Sequence, residues 1–460
     1  MKNSTKLFLA AIAIPFFAVS LIAQEAIDSG TKTETAKPKA DSTAPKSATK
    51  ISTVPAIEIQ HIRPADQRGL NVFEWPKYDT VPYTGFKLGW GAAFTQQFQG
   101  LRHSNTATPN VVNNVNQNQL ITIGNGFNNA VANLYLNAQV AKGIRVAVTS
   151  YASARHHQES WVKDGYALID ESPIDHPLLN SIMKYTTLRV GHFEINYGDA
   201  HFRRTDNGQA MYNPFVGNYI LDAFTTEIGG EMYLRTGPWL AMGGVTGGEI
   251  RGQVTAPTKR SASLLGKVGV DKSFAKELRF RLTGSMYANG QSASNTLFTG
   301  DRAGSRYYDV LENTTATETA NAWSGAIRPG FGNNVHAYVV NPFIKVSGLE
   351  LFGNFETATG KGAAEIKNRT VRQLVGEGLY RFAGDQLYIG ARYNTVKGEL
   401  ANIPNDISVN RWQYGGGWFV TPLLLTKVEY VNQKYFDFPT TDIRNGGQFK
   451  GFMVEGVLAF

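Results

Sequence analysis

The chain has 460 residues, no cysteine and a formal net charge of +8, which excludes a disulfide framework and a lipid-modified cysteine at an export cleavage point. Glycine (47), phenylalanine (26) and tyrosine (20) are abundant while mean hydropathy is negative. After residue 23 no stretch approaches the ~18 uninterrupted apolar residues of a membrane helix, and the basic residues are dispersed without the aromatic–basic motif of a nucleic-acid binder, so nucleic acid is not an expected partner.

Residues 1–23 read as a secretory signal peptide. Lys2 and Lys6 supply the positive start, Leu7 to Ile22 the apolar run, interrupted by Pro15, and Ala23 the cleavage-site residue. An exported chain that enters a membrane without helices has one remaining option. Only a closed barrel then satisfies every backbone N–H and C=O inside hydrocarbon. Residues 24–55 form a low-complexity linker rich in Thr, Lys, Ala, Ser and Pro, with too little apolar surface to offset its ordering entropy. Residues 56–85, with Phe73, Trp75 and Tyr78, form a periplasmic N-terminal segment that packs at a barrel mouth or plugs it. The sequence leaves both open.

Residues 86–460 read as an all-β outer-membrane barrel of antiparallel strands. Segments of about ten alternating residues recur, the length a tilted barrel strand needs. Phe86, Leu88, Trp90, Ala92 and Phe94 alternate with Lys87, Gly89, Gly91 and Thr95, and Leu134, Leu136, Ala138 and Val140 with Asn133, Tyr135, Asn137 and Gln139. Leu278, Phe280, Leu282 and Met286 alternate with Arg279, Arg281, Thr283 and Ser285. An apolar face opposite an arginine-bearing one fits lipid outside and water inside. A soluble sandwich also alternates, but it does not explain the loop asymmetry or the last strand. Short connections fall at Lys142-Gly143, Thr236-Gly237-Pro238, Ser347-Gly348, Gly384-Asp385 and Thr421-Pro422. Long ones fall near 100–130, 157–182, 250–260, 290–334, 359–368, 397–407 and 436–446. Short periplasmic turns and long extracellular loops are the pattern of outer-membrane barrels.

The chain ends on a strand, with Phe452, Val454, Gly456, Leu458 and Phe460 on one face. Placing that end in the periplasm sets the direction of every earlier strand. Counting backwards and forwards gives fifteen strands. In that count 183–192 and 225–236 both run toward the periplasm, so a sixteenth strand is expected within 193–222. Sixteen strands leave a water-filled channel.

Alternation points many basic residues inward, among them Arg189, Lys267, Arg279, Arg281, Arg392 and Arg411. Glu227, Glu231, Glu350, Glu356, Glu377, Glu429 and Glu455 point the same way. Two readings stand: a cross-strand salt-bridge lattice that stiffens the wall, and a basic pore that favours anions. They are compatible. Leu188 to Arg204 stands out for its aromatics, His192, His201, Arg189, Arg203 and Arg204. It is expected either to fold inward and narrow the pore or to form a long turn.

Within that stretch Leu188-Arg189-Val190-Gly191-His192-Phe193, then Tyr197-Gly198, then Arg203-Arg204, resembles the phosphate-selective porins O and P. The signal, N-terminal stretch, sixteen strands and terminal Phe460 are similar to that family's plan. The resemblance implies an anion-preferring channel, usually a homotrimer. It covers most of 86–460 in plan but about seventeen residues in motif, and the family's dense lysine ladder is missing. It therefore carries "porin" further than "phosphate-specific".

The expected function is passive diffusion of small hydrophilic or anionic solutes through a pore in outer-membrane lipid, in the Gram-negative outer membrane. Arg189, Arg203, Arg204, Lys267, Arg279, Arg281, Arg392 and Arg411 are the candidate pore-lining residues. No catalytic residue, metal or cofactor is expected: adjacent His156-His157 point to opposite faces of a strand and are poor co-ligands for Asp164 or Asp170. The alternative is a non-conducting scaffold or docking barrel of an envelope assembly.

Overall fold

A computed structural model describes residues 54–460, apart from Tyr78 and residues 157–159, 249–253, 255–257, 276 and 302–303. The expected signal peptide and almost all of the linker lie outside the described residues. Seventeen strands form one sheet. The two-residue strand Gly126–Phe127 only supplements the first long strand, so sixteen make the wall. They are β1 (Lys87–Ser104), β2 (Val131–Ala141), β3 (Ile144–Ser153), β4 (Ser160–Ile169), β5 (Thr186–Glu194), β6 (Thr226–Thr236), β7 (Trp239–Thr246), β8 (Ser263–Ala275), β9 (Leu278–Asn289), β10 (Asn334–Val346), β11 (Leu349–Lys361), β12 (Arg369–Phe382), β13 (Leu387–Gly398), β14 (Ile407–Thr421), β15 (Leu424–Phe436) and β16 (Gln448–Ala459). Each pairs antiparallel with the next, and β16 returns to β1 from Ala93↔Ala459 to Ser104↔Gln448. The all-β, sixteen-strand antiparallel barrel expected from the alternation is the observed fold, and closure removes every free sheet edge.

Alternation decides which side chains face out. On β9, Leu278, Leu282 and Met286 are exposed while Arg281, Thr283, Ser285 and Tyr287 are buried inside. The same holds around the wall, where Trp90, Phe94, Val190, Met232, Val268, Val340, Leu374, Ile389, Val428 and Phe452 are exposed. An apolar exterior over a polar interior reverses a soluble protein's arrangement and suits hydrocarbon surroundings.

The sixteenth strand is not where the sequence reading placed it. It is β4, inside the stretch 157–182 that the sequence pattern presents as one long loop. Consequently β5 runs in the opposite direction to the one expected, away from the end that holds Phe460. The reason is local. Between Thr149↔Asp164 and Ser150↔Val162 the register slips by one residue, leaving Lys163 as an extra residue in β4. A bulge breaks two-residue periodicity, so no clean alternation is visible there. The connection after β4 spans 170–185 and contains a short helix, Pro177–Met183. It is the one long connection at the Phe460 end among the described residues, against the short-turn expectation.

Beyond the last two residues of β5, the region 193–222 contains no wall strand. It leaves the far end of β5 and folds into the lumen. Two further segments enter: residues 59–77 from the Phe460 end and parts of 292–331 from the far end. The open channel expected from strand number alone is therefore largely filled. The apolar core sits inside the barrel, where Ile195, Tyr197, Val216, Ile220 and Leu221 of the insert meet Leu297, Phe298, Tyr307 and wall residues such as Val339 and Val431.

Candidate functional site

The insert 195–225 contains no wall strand, and its internal hydrogen bonds, such as Thr205 N–H to Asn218 Oδ1 (2.8 Å) and Phe215 N–H to Asn213 Oδ1 (3.1 Å), leave other backbone groups unmet. Its buried backbone groups need partners elsewhere, and the wall's amide and carboxylate side chains supply them. The Ile220 N–H donates to Asn394 Oδ1 (2.6 Å), Leu221 to Gln373 Oε1 (2.9 Å) and Val216 to Glu429 Oε2 (2.8 Å). Lys427 donates to the carbonyls of Ala210 (2.9 Å), Asn213 (3.0 Å) and Phe215 (3.1 Å). Asn207 adopts a left-handed φ of 50° and Gly198 one of 70°, so the chain turns sharply in the confined interior. The sequence signal for this segment was its density of Asn, Gly and Pro between 205 and 218. That density disfavours a strand.

The eight candidate residues fall into distinct settings. Arg189 on β5 donates to Glu231 (2.5 Å), with its guanidinium over Phe193 (4.2 Å) and Trp75 (4.8 Å). Arg203 and Arg204 belong to the insert, not the wall. Arg203 reaches Glu377 on β12 (2.6 Å), and Arg204 clasps Asp222 with two hydrogen bonds (2.9 and 2.6 Å). Arg392 meets Arg203 at the same Glu377 (2.7 Å). Lys267 and Arg281 converge on Asp199 of the insert (2.7 and 2.8 Å) and on Glu74 of the N-terminal segment (3.0 and 2.9 Å). Arg279 stands nearer the Phe460 end, paired with Asp271 (2.6 Å) and donating to Asn71 O (2.8 Å). Arg411 has no carboxylate among its described partners. It donates to Gln433 (2.6 Å) and to Gly325 O (2.9 Å) of the loop from the far end. The arrangement is predominantly a lattice in which wall charges also anchor the inserted segments.

Burial alone would raise the Asp199 carboxyl, but Lys267 and Arg281 outweigh it and hold it below its ordinary value. Burial likewise opposes the charged form of Glu74, and Arg281 and Lys267 hold it well below the usual carboxylate range. Burial keeps His201 below the ordinary imidazole value despite Glu194 at 3.4 Å.

Residues 59–77, which carry no strand alternation, also reach the interior. Gln60 accepts from the N–H of Gly143 (3.1 Å), Arg63 lies over the ring of Tyr212 (3.7 Å), Asn71 donates to Glu350 (2.7 Å), and Lys77 donates to the Thr186 carbonyl (2.7 Å). Beside this segment a cavity of about 400 Å³ runs inward from the rim at Leu88, Trp90 and Phe460. Its walls include Trp75, Arg145, Lys163, Asp164, Tyr166 and Arg189. It stops at His201 and Arg204, beyond which lies a void of about 20 Å³, also lined by Arg203, Asp222 and Arg392. That void holds roughly one water. Among the described residues no group of His, Asp and Glu could hold a metal ion. His157 lies outside the described residues.

No family model and no curated protein matches the sequence. Among solved structures, the chain is similar to in-vitro folded OmpT, an outer membrane protein of Vibrio cholerae (TM-score 0.47, 11% identity, covering 83% of this chain and 100% of that one). It is similar to OprB of Pseudomonas putida (TM-score 0.47, 10% identity, 82% and 94%). It is also similar to the outer membrane channel DcaP of Acinetobacter baumannii (TM-score 0.46, 10% identity, 82% and 99%).

Proposed function

We propose that the chain is an outer-membrane channel of narrow aperture that passes small hydrophilic solutes by diffusion, exported by the signal at 1–23 and with its Phe460 end in the periplasm. The observation that carries this reading is a cavity of about 400 Å³, with charged side chains such as Arg63, Arg145 and Asp164 in its lining, entering a closed barrel whose exterior is apolar. A barrel with no transport role has no need of a charged, cavity-bearing interior, which costs desolvation energy. The inserted segments set the aperture, and the Asp222–Arg204–His201 region forms its narrowest point.

A mild preference for anions is part of the proposal. Most wall cations are neutralised, so the preference does not arise from Arg279 and Arg281. It arises from Arg63 and Arg145, which line the cavity without a carboxylate at ion-pair distance among the described residues. The filled lumen favours one rival, a non-conducting docking barrel. Reconstitution of the full chain in planar bilayers under a KCl gradient separates them. Small, discrete conductance steps with a chloride-leaning reversal potential are expected. Silent membranes at high protein would remove the channel reading, and a potassium-leaning potential would remove the anion preference alone.

A further inference from the structure

We propose that the cavity beside the N-terminal segment is a binding subsite for short zwitterionic peptides, an inference that rests on the channel reading and names its solute. The bulge in β4 is the starting point. In a regular strand Lys163 and Asp164 would face opposite sides. The slipped register turns both inward, each only 7% exposed. Lys163 is neutralised by Glu194 and Asp206, each at 2.6 Å. Asp164 lines the cavity and has no hydrogen-bond or ion-pair partner among the described residues. The other side-chain carboxylates around the cavity have cations: Glu58 meets Lys87 at 3.3 Å and Asp66 meets Arg68 at 2.6 Å.

Arg145 is the complementary case. It is 3% exposed, lines the same cavity, and donates only to neutral oxygens, Asn137 Oδ1 (2.9 Å) and His61 O (3.1 Å). One buried carboxylate without a cation and one buried guanidinium without an anion thus share one cavity. Each is costly alone, and a solute carrying both charges offsets both costs.

Register sets the length of that solute. Asp164 stands opposite Thr149, four residues beyond Arg145 on β3, which is ~13 Å along a strand. The Arg145 guanidinium leans toward Asp164, because its partner Asn137 stands opposite Ala147. The remaining span is on the order of 7–10 Å, and a peptide adds ~3.3–3.6 Å per residue. A dipeptide or tripeptide bridges it, with the amino terminus at Asp164 and the carboxylate toward Arg145. Trp75 and Tyr166 give the backbone between them flat apolar walls.

The test is calorimetry on the full chain in detergent with triglycine, N-acetyl-triglycine and triglycine amide. Triglycine is expected to bind saturably and both blocked forms at least tenfold more weakly. Asp164→Asn is expected to bind triglycine no better than the wild type binds the acetylated form, and Asp164→Glu to recover part of the loss. No saturable heat with triglycine, or equal affinity for the blocked forms, overturns the proposal. Undiminished binding by Asp164→Asn overturns it too. The three wild-type titrations decide even if a variant misfolds. Calorimetry reads the site whether or not ions pass: binding with silent bilayers sinks the channel reading, and conducting bilayers without binding sink only the peptide subsite.

Discussion

At the scale of single residues, the interior is governed by charges that cannot be removed one at a time. Asp199 accepts from Arg281 (2.8 Å) and Thr283 (2.9 Å) and pairs with Lys267 (2.7 Å), all inside the barrel. Removing one partner of a buried pair costs up to about 3–5 kcal/mol, because it leaves the other charge uncompensated. Asp199→Asn is therefore expected to lower the urea midpoint followed by tryptophan fluorescence. An unchanged midpoint would show that Glu74 alone satisfies both cations. The same cluster predicts a pH response. Asp199 and Glu74 both have depressed native values, so their stabilisation is complete above the unfolded carboxyl values of about 3.9 and 4.3. It is lost as pH falls through the lower native values. Lowering the pH stepwise past the unfolded carboxyl values and on through the depressed native ones should release the grip on the insert and give larger, noisier conductance only in the lower part of that range. A pH-independent record would contradict this role.

At the scale of elements, the wall and its contents depend on different information. Residues 59–77 contribute no ladder to the barrel, yet they contact β5, β6, β9 and β11 through side chains. Deleting 59–77 should therefore leave the barrel folded, with its heat-modifiable mobility on gels, and raise single-channel conductance severalfold. Unchanged conductance would mean that the insert alone sets the aperture. The same division explains what could be read from the sequence. Strands such as β9 and β15 were legible because period-two alternation encodes a wall with lipid on one side and polar contents on the other. β4 was not, because the extra residue at Lys163 places two adjacent side chains on one face. The insert was legible as an anomaly at Arg203 and Arg204, but not as a filled interior. Its structure is held by partners from other elements, such as Asn394 for Ile220 and Gln373 for Leu221, and periodicity does not encode those pairings. The eight basic residues could be placed inside together with strand acids such as Glu231 and Glu377, whereas the neutralisation of Lys267 and Arg281 by Asp199 and Glu74, and of Arg204 by Asp222, could not, since those acids lie off the strands.

At the scale of the whole molecule, everything depends on closure and on the medium outside. The C-terminal strand seals the barrel: Phe460 exchanges backbone hydrogen bonds with Ala92 (3.0 and 2.9 Å), and its ring meets Trp90 edge-on at 5.7 Å. Closure satisfies the backbone but leaves a belt of exposed Leu, Val, Phe and Trp that water would penalise. Lipid is the surrounding that makes this surface favourable. Val428, half-exposed on β15 opposite Gly416 and Val454, tests that reading directly. If its surroundings are hydrocarbon, Val428→Arg should destabilise the protein by about 2–4 kcal/mol in lipid vesicles, the midplane value for a lipid-facing arginine. At a water-facing site the same change would fall within about ±0.5 kcal/mol. Urea titration of both proteins in vesicles distinguishes the two. A near-zero difference would place this face in water and remove the membrane-spanning reading at its base.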